Sequence, residues 1–391
     1  MRIVLKHGRD WAVRAGHPWV FSGAIAATEG EGAPGSVVEL VSADGRSLGR
    51  GTWNPRTSIA VRMLTRGHET VDAGFVRGRL ESALRLRAIV RNTDAWRLVN
   101  GEGDYLPGLV VDRYGDFVVC QFLTAGAERL KPLIVEAIVA LVRPRGIFER
   151  SEGRVRTAEG LDRAVGVLAG DEPPADLAIV ESGRRYRVDI RGGQKTGFFL
   201  DQRANRDLVA TLAAGRRVLN LFAYTGGFSI AAAQGGAAHV TSVESSAAAL
   251  VQAEAVWRLN GLAEEAGTFA RADVFAYLRH DPPPADLVIL DPPPFARRRG
   301  DRDRALAGYK EINLQALRTC ATEALLVTFS CSQHVEAAAF ADAVAAAAAD
   351  AGRACQLLGR LGPAVDHPQA LAHPEGRYLK GLLVRVGGEG V

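Results

Sequence analysis

Residues 217–228 of this 391-residue chain, RVLNLFAYTGGF, carry the clearest indication of its fold class. The first half is a near-continuous apolar run, which is typical of a parallel strand buried on both faces. The second half ends in Gly226-Gly227 and leads into a helical pattern. Glycines at such a turn let the backbone come close to a ligand, and the N-terminus of the next helix offers unpaired N–H groups. We therefore predict a strand, a glycine-rich turn and a helix, with a ligand site at the edge of an α/β sheet.

The alternation of strands and helices continues toward the C-terminus. Apolar runs such as DLVIL at 286–290 and ALLVTF at 324–329 are expected in a sheet that is covered on both faces. Two last strands, at 355–361 and 379–386, close the edge. The full set of predicted strands is 217–222, 238–244, 268–270, 286–290, 324–329, 355–361 and 379–386, and the helices lie at 228–234, 247–260, 275–279, 304–321 and 334–351. This rhythm predicts a mostly parallel sheet in one domain over residues 191–391.

The first 190 residues follow a different pattern. Residues 1–70 hold short alternating runs between turn residues, which predicts a small β-barrel. Residues 71–190 mix strands and helices in the order of a compact α+β domain. The elements predicted there are helices at 74–90 and 128–142 and strands at 108–112, 117–122, 147–150 and 186–190. The chain is thus predicted to have three domains.

The composition is that of an ordinary globular protein. Hydrophobic residues make up 47% and charged residues 24%, and the formal net charge is +4. Nucleic-acid contacts would therefore come from local patches, since a strongly basic domain is absent. Four cysteines without CxxC spacing indicate a reduced, cytoplasmic protein without a metal site. We also expect no membrane partner, because no stretch reaches the roughly 18 apolar residues of a membrane span and no secretory signal opens the chain.

Acidic residues follow successive strands of the predicted sheet. Glu244 ends the second strand about 20 residues beyond the glycines, where a carboxylate accepts hydrogen bonds from ribose hydroxyls. Asp273 follows the third strand and is placed for an adenine amine, and Asp291 follows the fourth. The turn lacks the G-x-G-x-x-G dinucleotide fingerprint. These strand-end residues favour S-adenosylmethionine over NAD.

Two motifs carry the chemistry. DPPPF, residues 291–295, turns the chain out at the carboxyl edge of the sheet, because consecutive prolines cannot continue a central strand. TFSCS, residues 328–332, places Cys331 after the fifth strand and before a predicted helix, where N–H donors lower the pKa of a thiol. Carbon 5 of cytosine becomes nucleophilic once a thiolate adds to carbon 6. We therefore predict Cys331 as a nucleophile and Asp291 as a partner for ring N3, and we expect Cys120, Cys320 and Cys355 to be structural.

Other features of these motifs leave alternatives open. Enzymes that methylate exocyclic amines often carry Asp/Asn-Pro-Pro-aromatic, and here Pro294 stands at the aromatic position. The segment 193–203, GQKTGFFLDQR, is either a linker docked through Phe198 and Phe199 or a flap over the cofactor and the target base. In the first domain, Trp19 and Phe21 are expected in the core.

The motifs resemble those of the bacterial 23S ribosomal RNA 5-methylcytosine methyltransferase family of the large-subunit methyltransferase I type. The resemblance runs nearly end to end and is carried by the following stretches: GHPWVFSGAI (16–25), GEGDYLPGLVVDRYG (101–115), GQKTGFFLDQRANR (193–206), VLNLFAYTGGFS (218–229), DPPPF (291–295), YKEINLQAL (309–317), TFSCS (328–332) and DHPQALAHPEGRYLKGLL (366–383).

The resemblance implies an N-terminal PUA-like RNA-binding domain over 1–70, a central α+β domain over 71–190 and a Rossmann-like class I methyltransferase domain with a mostly parallel seven-stranded sheet over 191–391. It implies S-adenosylmethionine as cofactor, 23S rRNA or a large-subunit precursor as partner, Cys331 as nucleophile and Asp291 as the acid of DPPPF. The family commonly has a basic residue where this chain has Pro294. A related branch that makes N-methylguanine lacks both the PUA segment and the motif cysteine.

Candidate binding residues cluster in the same motifs. Those assigned to the cofactor are Phe222, Tyr224, Thr225, Gly226, Gly227, Glu244, Asp273, Asp291, Phe199, Gln202 and Arg203. Those assigned to RNA are Lys195, Phe295, Arg297, Arg298, Arg299, Arg9 and Arg14, with His17, Arg46 and Arg50 as further phosphate contacts. The target base is expected to be flipped out of its stack.

Three functions remain open at this point. The first is methylation of cytosine carbon 5 in large-subunit rRNA. The second is methylation of an exocyclic base amine such as guanine N2, which needs no thiolate. The third is a catalytically silent RNA-binding assembly factor. The base that removes the carbon-5 proton is not identified, and a homodimer is one option for the oligomeric state.

Overall fold

A computed structural model describes residues 1–296 and 298–389, without the side chains of Arg299 and Glu389. The chain divides into two compact units that are each built from several segments. The first unit consists of Met1–Ile179, Val188–Leu200 and Val365–Gly376, and the second consists of Val180–Arg187, Asp201–Ala364 and the residues from Arg377 onward.

The first unit begins with a six-stranded sheet. Its strands are β1 (Arg2–Leu5), β2 (Trp19–Phe21), β3 (Ile25–Glu29), β4 (Val37–Val41), β5 (Ser47–Trp53) and β6 (Ile59–Thr65), with a short helix α1 (Trp11–Arg14) after β1. The strand order is β2-β6-β5-β4-β1-β3. β1 pairs in parallel with β4, and the other pairs are antiparallel. Ile3, Leu40 and Val61 are fully buried in the core of this sheet.

A five-stranded sheet with two long helices completes the first unit. Its strands are β7 (Ala95–Asn100), β8 (Leu109–Tyr114), β9 (Phe117–Phe122), β10 (Gly146–Ser151) and β11 (Ala164–Gly170), in the order β11-β10-β9-β8-β7, and its helices are α2 (Ala73–Arg87), α3 (Ala125–Val142) and α4 (Arg154–Ala158). α2 begins where the Asp72 carboxylate accepts from the Phe75 N–H, and α3 where the Thr124 hydroxyl accepts from the Ala127 N–H. These side chains satisfy backbone donors that the first helical turn leaves unpaired.

The second unit is organised around a seven-stranded mixed sheet. Its strands are β14 (Arg217–Leu221), β15 (His239–Glu244), β16 (Gly267–Arg271), β17 (Ala285–Leu290), β18 (Cys320–Ser330), β19 (Arg353–Leu361) and β20 (Lys380–Glu389), and its helices are α5 (Arg203–Leu212), α6 (Gly227–Gln234), α7 (Ala247–Leu259), α8 (Val274–Arg279), α9 (Arg302–Thr319) and α10 (Ala337–Asp350). The strand order is β16-β15-β14-β17-β18-β20-β19. A hairpin of β12 (Ala178–Glu181) and β13 (Arg184–Arg187) precedes them.

The sheet of the second unit is parallel from β16 to β18 and antiparallel at β20 and β19. The central parallel strands β14 and β17 are mostly apolar and buried, as expected for strands covered by helices on both faces. Because the carboxyl ends of the parallel strands meet at one edge, the residues that follow β14, β15, β16, β17 and β18 are brought to the same side of the sheet.

The alternation of strands and helices predicted from residue 217 to residue 361 is observed. The boundaries of several elements differ, and the strands β7, β11 and β12 were not predicted. α5 was not predicted, and α10 begins at Ala337 rather than at 334. The strand predicted at 186–190 ends at Arg187, since the Asp189 carboxylate accepts from the N–H groups of Arg191 and Gly192 and turns the chain. No helix of the described residues is long and apolar enough to cross a membrane.

Candidate active site

The turn after β14 has an uncommon backbone conformation. Phe222 and Tyr224 both have positive φ, at 59° and 48°, and Gly226 follows at 81°. A Cβ atom at Gly226 would lie 3.1 Å from the Cβ of Ala253 on α7. Glycine adopts this left-handed conformation without strain and avoids the close contact with Ala253. The turn therefore leads directly into α6, whose first-turn N–H groups have no partner within the helix.

Buried side chains hold this turn against its neighbours. The Asn220 side-chain amide donates to the Ser229 hydroxyl at 2.8 Å, and the Ser229 and Ser242 hydroxyls are hydrogen-bonded at 2.7 Å. These three residues belong to β14, α6 and β15 and are all at most 1% exposed. Buried polar groups that satisfy one another make a rigid support. The network fixes the first two strand ends relative to the helix.

Glu244, at the end of β15, faces the turn. Its carboxylate accepts from the Tyr224 N–H at 3.0 Å and from the Ser246 N–H at 2.8 Å. Charge-assisted bonds to backbone donors are among the stronger hydrogen bonds of a protein. Asp273, at the end of β16, is exposed and accepts from the Ala276 N–H at 2.9 Å, so that it also caps α8. Both predicted acids thus lie at strand ends on the edge that carries the glycine turn.

Asp291 follows β17 and contacts Gln202, the residue before α5. The Gln202 side-chain amide donates to the Asp291 carboxylate at 2.9 Å, and the Asn205 amide donates to the Gln202 side-chain carbonyl at 2.5 Å. Gln202 and Asn205 are buried, whereas Asp291 is partly exposed. Two of the residues that the sequence singled out, 89 positions apart, are therefore brought into direct contact.

Cys331 follows β18 and lies beside the proline turn. Its Sγ is 3.8 Å from the Pro292 carbonyl oxygen, and the side chain is partly exposed. The buried Ser332 hydroxyl accepts from the Ala296 N–H at 3.2 Å and is hydrogen-bonded to the Tyr309 hydroxyl at 2.8 Å. The two motifs DPPPF and TFSCS thus form one structure. It places a thiol, a carboxylate and a proline carbonyl at the same edge of the sheet.

Comparison with known proteins assigns this arrangement to a family. A PUA-like domain model matches residues 3–66, and an S-adenosylmethionine-dependent methyltransferase model matches residues 148–313. Proteins named ribosomal RNA large subunit methyltransferase I are similar over the whole chain. The protein of Aeromonas salmonicida is 44% identical over 98% of both chains, and that of Erwinia tasmaniensis is 41% identical over 99% of both. This chain belongs to the ribosomal RNA large subunit methyltransferase I family.

Two solved structures share the fold of this family member. One, described as an S-adenosylmethionine-dependent methyltransferase from Streptococcus mutans, has a TM-score of 0.85 at 23% identity over 99% of this chain and 100% of that one. The other, described as a methyltransferase complexed with S-adenosylhomocysteine, has a TM-score of 0.86 at 24% identity with the same coverage. At these identities the likeness concerns the fold.

The cofactor of the methyltransferase domain is S-adenosylmethionine. The strand-end residues fit this group, because Glu244 is held by two backbone donors beside the glycine turn, and Gly226 in that turn has little space for a side chain. The individual cofactor contacts, including Thr225 and Gly227 in the turn, stay predictions. Within the part of the chain that is described, no group of three or more His, Cys, Asp or Glu side chains is arranged to hold a metal ion.

We expect Glu244→Gln to weaken S-adenosylhomocysteine binding about tenfold, or about 1.4 kcal/mol. The amide presents only one acceptor oxygen, and its NH₂ group meets the N–H donors of Tyr224 and Ser246. Isothermal titration calorimetry measures the change. Glu264→Gln, on an exposed turn before β16, is the matched control and should bind like the wild type. Equal affinity of Glu244→Gln and wild type would remove Glu244 from the cofactor site.

The segment 193–203 is anchored at one end within the first unit. The Thr196 hydroxyl is hydrogen-bonded to the Tyr114 hydroxyl at 2.7 Å and donates to the Asp112 carboxylate at 2.5 Å. Phe198 is buried, and the Lys195 ammonium lies 4.6 Å from the centroid of the Phe199 ring. These contacts support the docked linker. The roles of Lys195, Phe199 and the buried Arg203 toward cofactor or RNA stay predictions.

The structure describes most, but not all, of the residues that are predicted to contact RNA. Phe295 is partly buried and packs on Tyr309 with 4.7 Å between ring centroids. Arg298 is exposed at the end of the proline turn, Arg297 lies outside the described residues, and the side chain of Arg299 is likewise not described. In the first unit Arg9 and Arg14 are exposed, and Arg14 forms a surface ion pair with Asp10. Their contacts with RNA stay predictions.

The structure shows how far the three other cysteines and Phe21 are buried. Cys120 and Cys320 are buried as predicted, and burial raises the pKa of the Cys320 thiol to about 12. Cys355 is only half-buried. Phe21 was expected in the core, but it is 46% exposed, because it is the last residue of an edge strand and points away from the core.

The expected helix N-terminus beside Cys331 is absent, because α10 begins at Ala337, six residues later along the chain. Its first-turn N–H groups therefore do not explain an activated thiol. Lys380 also contacts this part of the chain, and its Nζ donates to the Ser332 carbonyl at 2.5 Å. The sequence did not single out Lys380, which lies in the stretch 366–383 that resembles the family. A lysine inside an otherwise apolar strand, LKGLL, was the available signal.

Proposed function

We propose that this chain transfers a methyl group from S-adenosylmethionine to carbon 5 of a cytosine in large-subunit ribosomal RNA, through a covalent adduct of Cys331. The observation that carries the proposal is the position of Cys331. Its Sγ lies 3.8 Å from the Pro292 carbonyl, at the sheet edge that also holds Asp291 and the glycine turn. The relatives named ribosomal RNA large subunit methyltransferase I, matched from end to end, support the substrate class.

The chain's own residues have distinct tasks in this reaction. The Cys331 thiolate adds to carbon 6, so that a C–S bond forms and the electrons of the ring double bond move toward carbon 5. Asp291 accepts a hydrogen bond from the protonated ring N3 and stabilises that charge distribution. When bound, S-adenosylmethionine supplies the methyl group. A base then removes the carbon-5 proton, the double bond re-forms, and the C–S bond breaks to release Cys331.

Gln202 has a supporting task. Its amide donates to the Asp291 carboxylate at 2.9 Å and is itself held by Asn205. Such a contact limits the rotamers of the carboxylate, which is how catalytic groups are kept in a productive geometry. We infer that Gln202 orients Asp291 toward the base.

We assign the contacts with RNA by the three predicted domains of the chain. We assign residues 1–70 to a PUA-like RNA-binding domain, 71–190 to a central α+β domain and 191–391 to the methyltransferase domain. The exposed Arg9, Arg14 and Arg298 are assigned to the RNA backbone, where guanidinium groups position phosphates without reading sequence. The substrate is 23S rRNA or a large-subunit precursor, encountered in the cytoplasm. The target cytosine is flipped out to reach Cys331.

The test is the identity of the modified nucleoside. Purified protein is incubated with methyl-labelled S-adenosylmethionine and large-subunit rRNA that lacks the modification, and the RNA is digested to nucleosides. We expect label in 5-methylcytidine, with small-subunit rRNA as the control substrate that stays unlabelled. Label in an N-methylated guanosine or adenosine would replace the proposal by exocyclic amine methylation. Tight RNA binding without any label would leave an assembly factor.

A further inference from the structure

Lys380 is a buried cation next to the proposed nucleophile. It is the first residue of β20 and lies opposite Ser330 in the antiparallel pairing of β18 with β20. Its side chain is only 8% exposed, although lysine is seldom fully buried unless its charge is compensated. Its Nζ donates to the carbonyl of Ser332, the residue directly after Cys331. The strand register therefore carries an ammonium group to the carboxyl end of β18.

The surroundings of Lys380 provide one candidate for a counter-charge. Among the described residues, no carboxylate forms an ion pair with its Nζ, whose hydrogen bond goes to the Ser332 carbonyl. The titratable groups of the cluster are Cys331, after β18, and Tyr309, on α9, whose hydroxyl is hydrogen-bonded to the Ser332 hydroxyl. Burial raises the pKa of Tyr309, so it stays neutral at physiological pH. The Lys380 ammonium therefore has its electrostatic interaction with Cys331.

Electrostatics couples the two groups. Burial lowers the pKa of Lys380 to about 8, and the nearby Cys331 opposes this shift. An interaction between two titrating groups is reciprocal, so the ammonium stabilises the thiolate by the amount that the thiolate stabilises the ammonium. The effect is larger away from bulk water, where the effective dielectric constant is low. A lysine that loses its proton near neutral pH is also a good proton acceptor.

We propose that Lys380 is a positioning residue that holds Cys331 as a thiolate, and this inference rests on the proposed role of Cys331 as nucleophile. The proton of the thiol moves to the neutral amine, so the S–H bond breaks, an N–H bond forms and a thiolate–ammonium pair results. No further reactant is needed. The hydrogen bond to the Ser332 carbonyl keeps the ammonium in place after the transfer.

The test follows the reactivity of Cys331 in the full-length chain, independently of methyl transfer. The rate of alkylation by iodoacetamide is measured against pH, and the modified Cys331 peptide is quantified by mass spectrometry. The buried Cys120 and Cys320 are internal controls that should react only on unfolding. We expect wild-type Cys331 to react with an apparent pKa well below the usual value of about 8.5 for a free thiol.

Two variants separate charge from hydrogen bonding. Lys380→Gln keeps an N–H donor for the Ser332 carbonyl and loses the charge, so alkylation of Cys331 at pH 7 should fall about tenfold, which corresponds to about one pKa unit. Lys380→Arg keeps both and should stay within about threefold of the wild type. An unchanged pH profile in Lys380→Gln would overturn the proposal. So would a wild-type apparent pKa at or above about 8.5, a result that does not depend on the folding of any variant.

The alkylation of Cys331 and the identity of the labelled nucleoside test the role of Lys380 and the cytosine reaction separately. A low apparent pKa that depends on Lys380, together with label in a nucleoside other than 5-methylcytidine, would keep the pair and reject the cytosine reaction. An ordinary thiol in an enzyme that makes 5-methylcytidine would reject the role of Lys380 alone.

Discussion

Cys331→Ala should abolish the formation of 5-methylcytidine, with a fall in turnover of at least about 10⁴-fold, as is found when a covalent nucleophile is removed. Without the thiolate, carbon 5 of cytosine is not activated and the methyl group has no acceptor. Affinity for S-adenosylhomocysteine should stay within about twofold of the wild type, because Glu244 and the Gly226 turn are untouched. Turnover is measured with labelled S-adenosylmethionine and large-subunit rRNA, and cofactor binding by calorimetry.

Cys355→Ala is the matched control for the loss of a thiol. Cys355 lies on β19 and is half-buried, and burial raises the pKa of its thiol above the usual range, so it should be inert. We expect this variant to keep wild-type turnover. Substantial methylation by Cys331→Ala, with the label in a base amine, would contradict the covalent mechanism and favour the exocyclic amine reaction, which needs no thiolate.

The second large effect concerns the stability of the methyltransferase unit. Glu181→Met should lower its free energy of unfolding by about 3–5 kcal/mol, the usual loss when one partner of a buried ion pair is removed. Arg206 on α5 makes two hydrogen bonds of 2.7 Å to the Glu181 carboxylate, and both side chains are at most 2% exposed. Removal of Glu181 leaves the Arg206 guanidinium as a buried charge without its main partner. Urea denaturation followed by far-ultraviolet circular dichroism measures the loss.

A double substitution tests the cause of this loss. Glu181→Met combined with Arg206→Met removes both charges and should recover most of the stability, since two apolar side chains of similar volume replace a buried ion pair at little cost. Arg258→Ala, in the exposed pair with Glu254 on α7, is the surface control and should cost less than about 1 kcal/mol. A loss below about 1 kcal/mol for Glu181→Met would show that Arg206 finds other partners.

Arg206 also has a position that links stability to the cofactor site. A Cβ atom at Gly227 would lie 3.4 Å from the Cδ of Arg206, so this side chain packs against the first residue of α6. Arg206 of α5 therefore packs beside the glycine turn that precedes α6. Loss of the Glu181 contact is expected to loosen this support as well as to destabilise the unit.

The amino-acid pattern alone predicts the strands of the second unit and the residues at their ends. Apolar runs such as 286–290 and 324–329 have the length and continuity of strands buried on both faces, and burial is the dominant local signal. Since parallel strands share a carboxyl edge, Glu244, Asp273 and Asp291 could be assigned to one site without coordinates. The motif residues Cys331 and Asp291 were predictable for the same reason, because each directly follows such a strand.

The side chains that meet across long stretches of chain could be identified from the three-dimensional structure but not from the sequence. Lys380 contacts the Ser332 carbonyl 48 residues away because β20 inserts between β18 and β19 in an antiparallel register. Gln202 contacts Asp291 across 89 residues because the turn before α5 lies beside the end of β17. Periodicity reports which face of an element is buried but carries no information on its distant neighbours. The environment of the Cys331 thiol was therefore assigned to a helix N-terminus from the sequence, whereas the strand order places a lysine there.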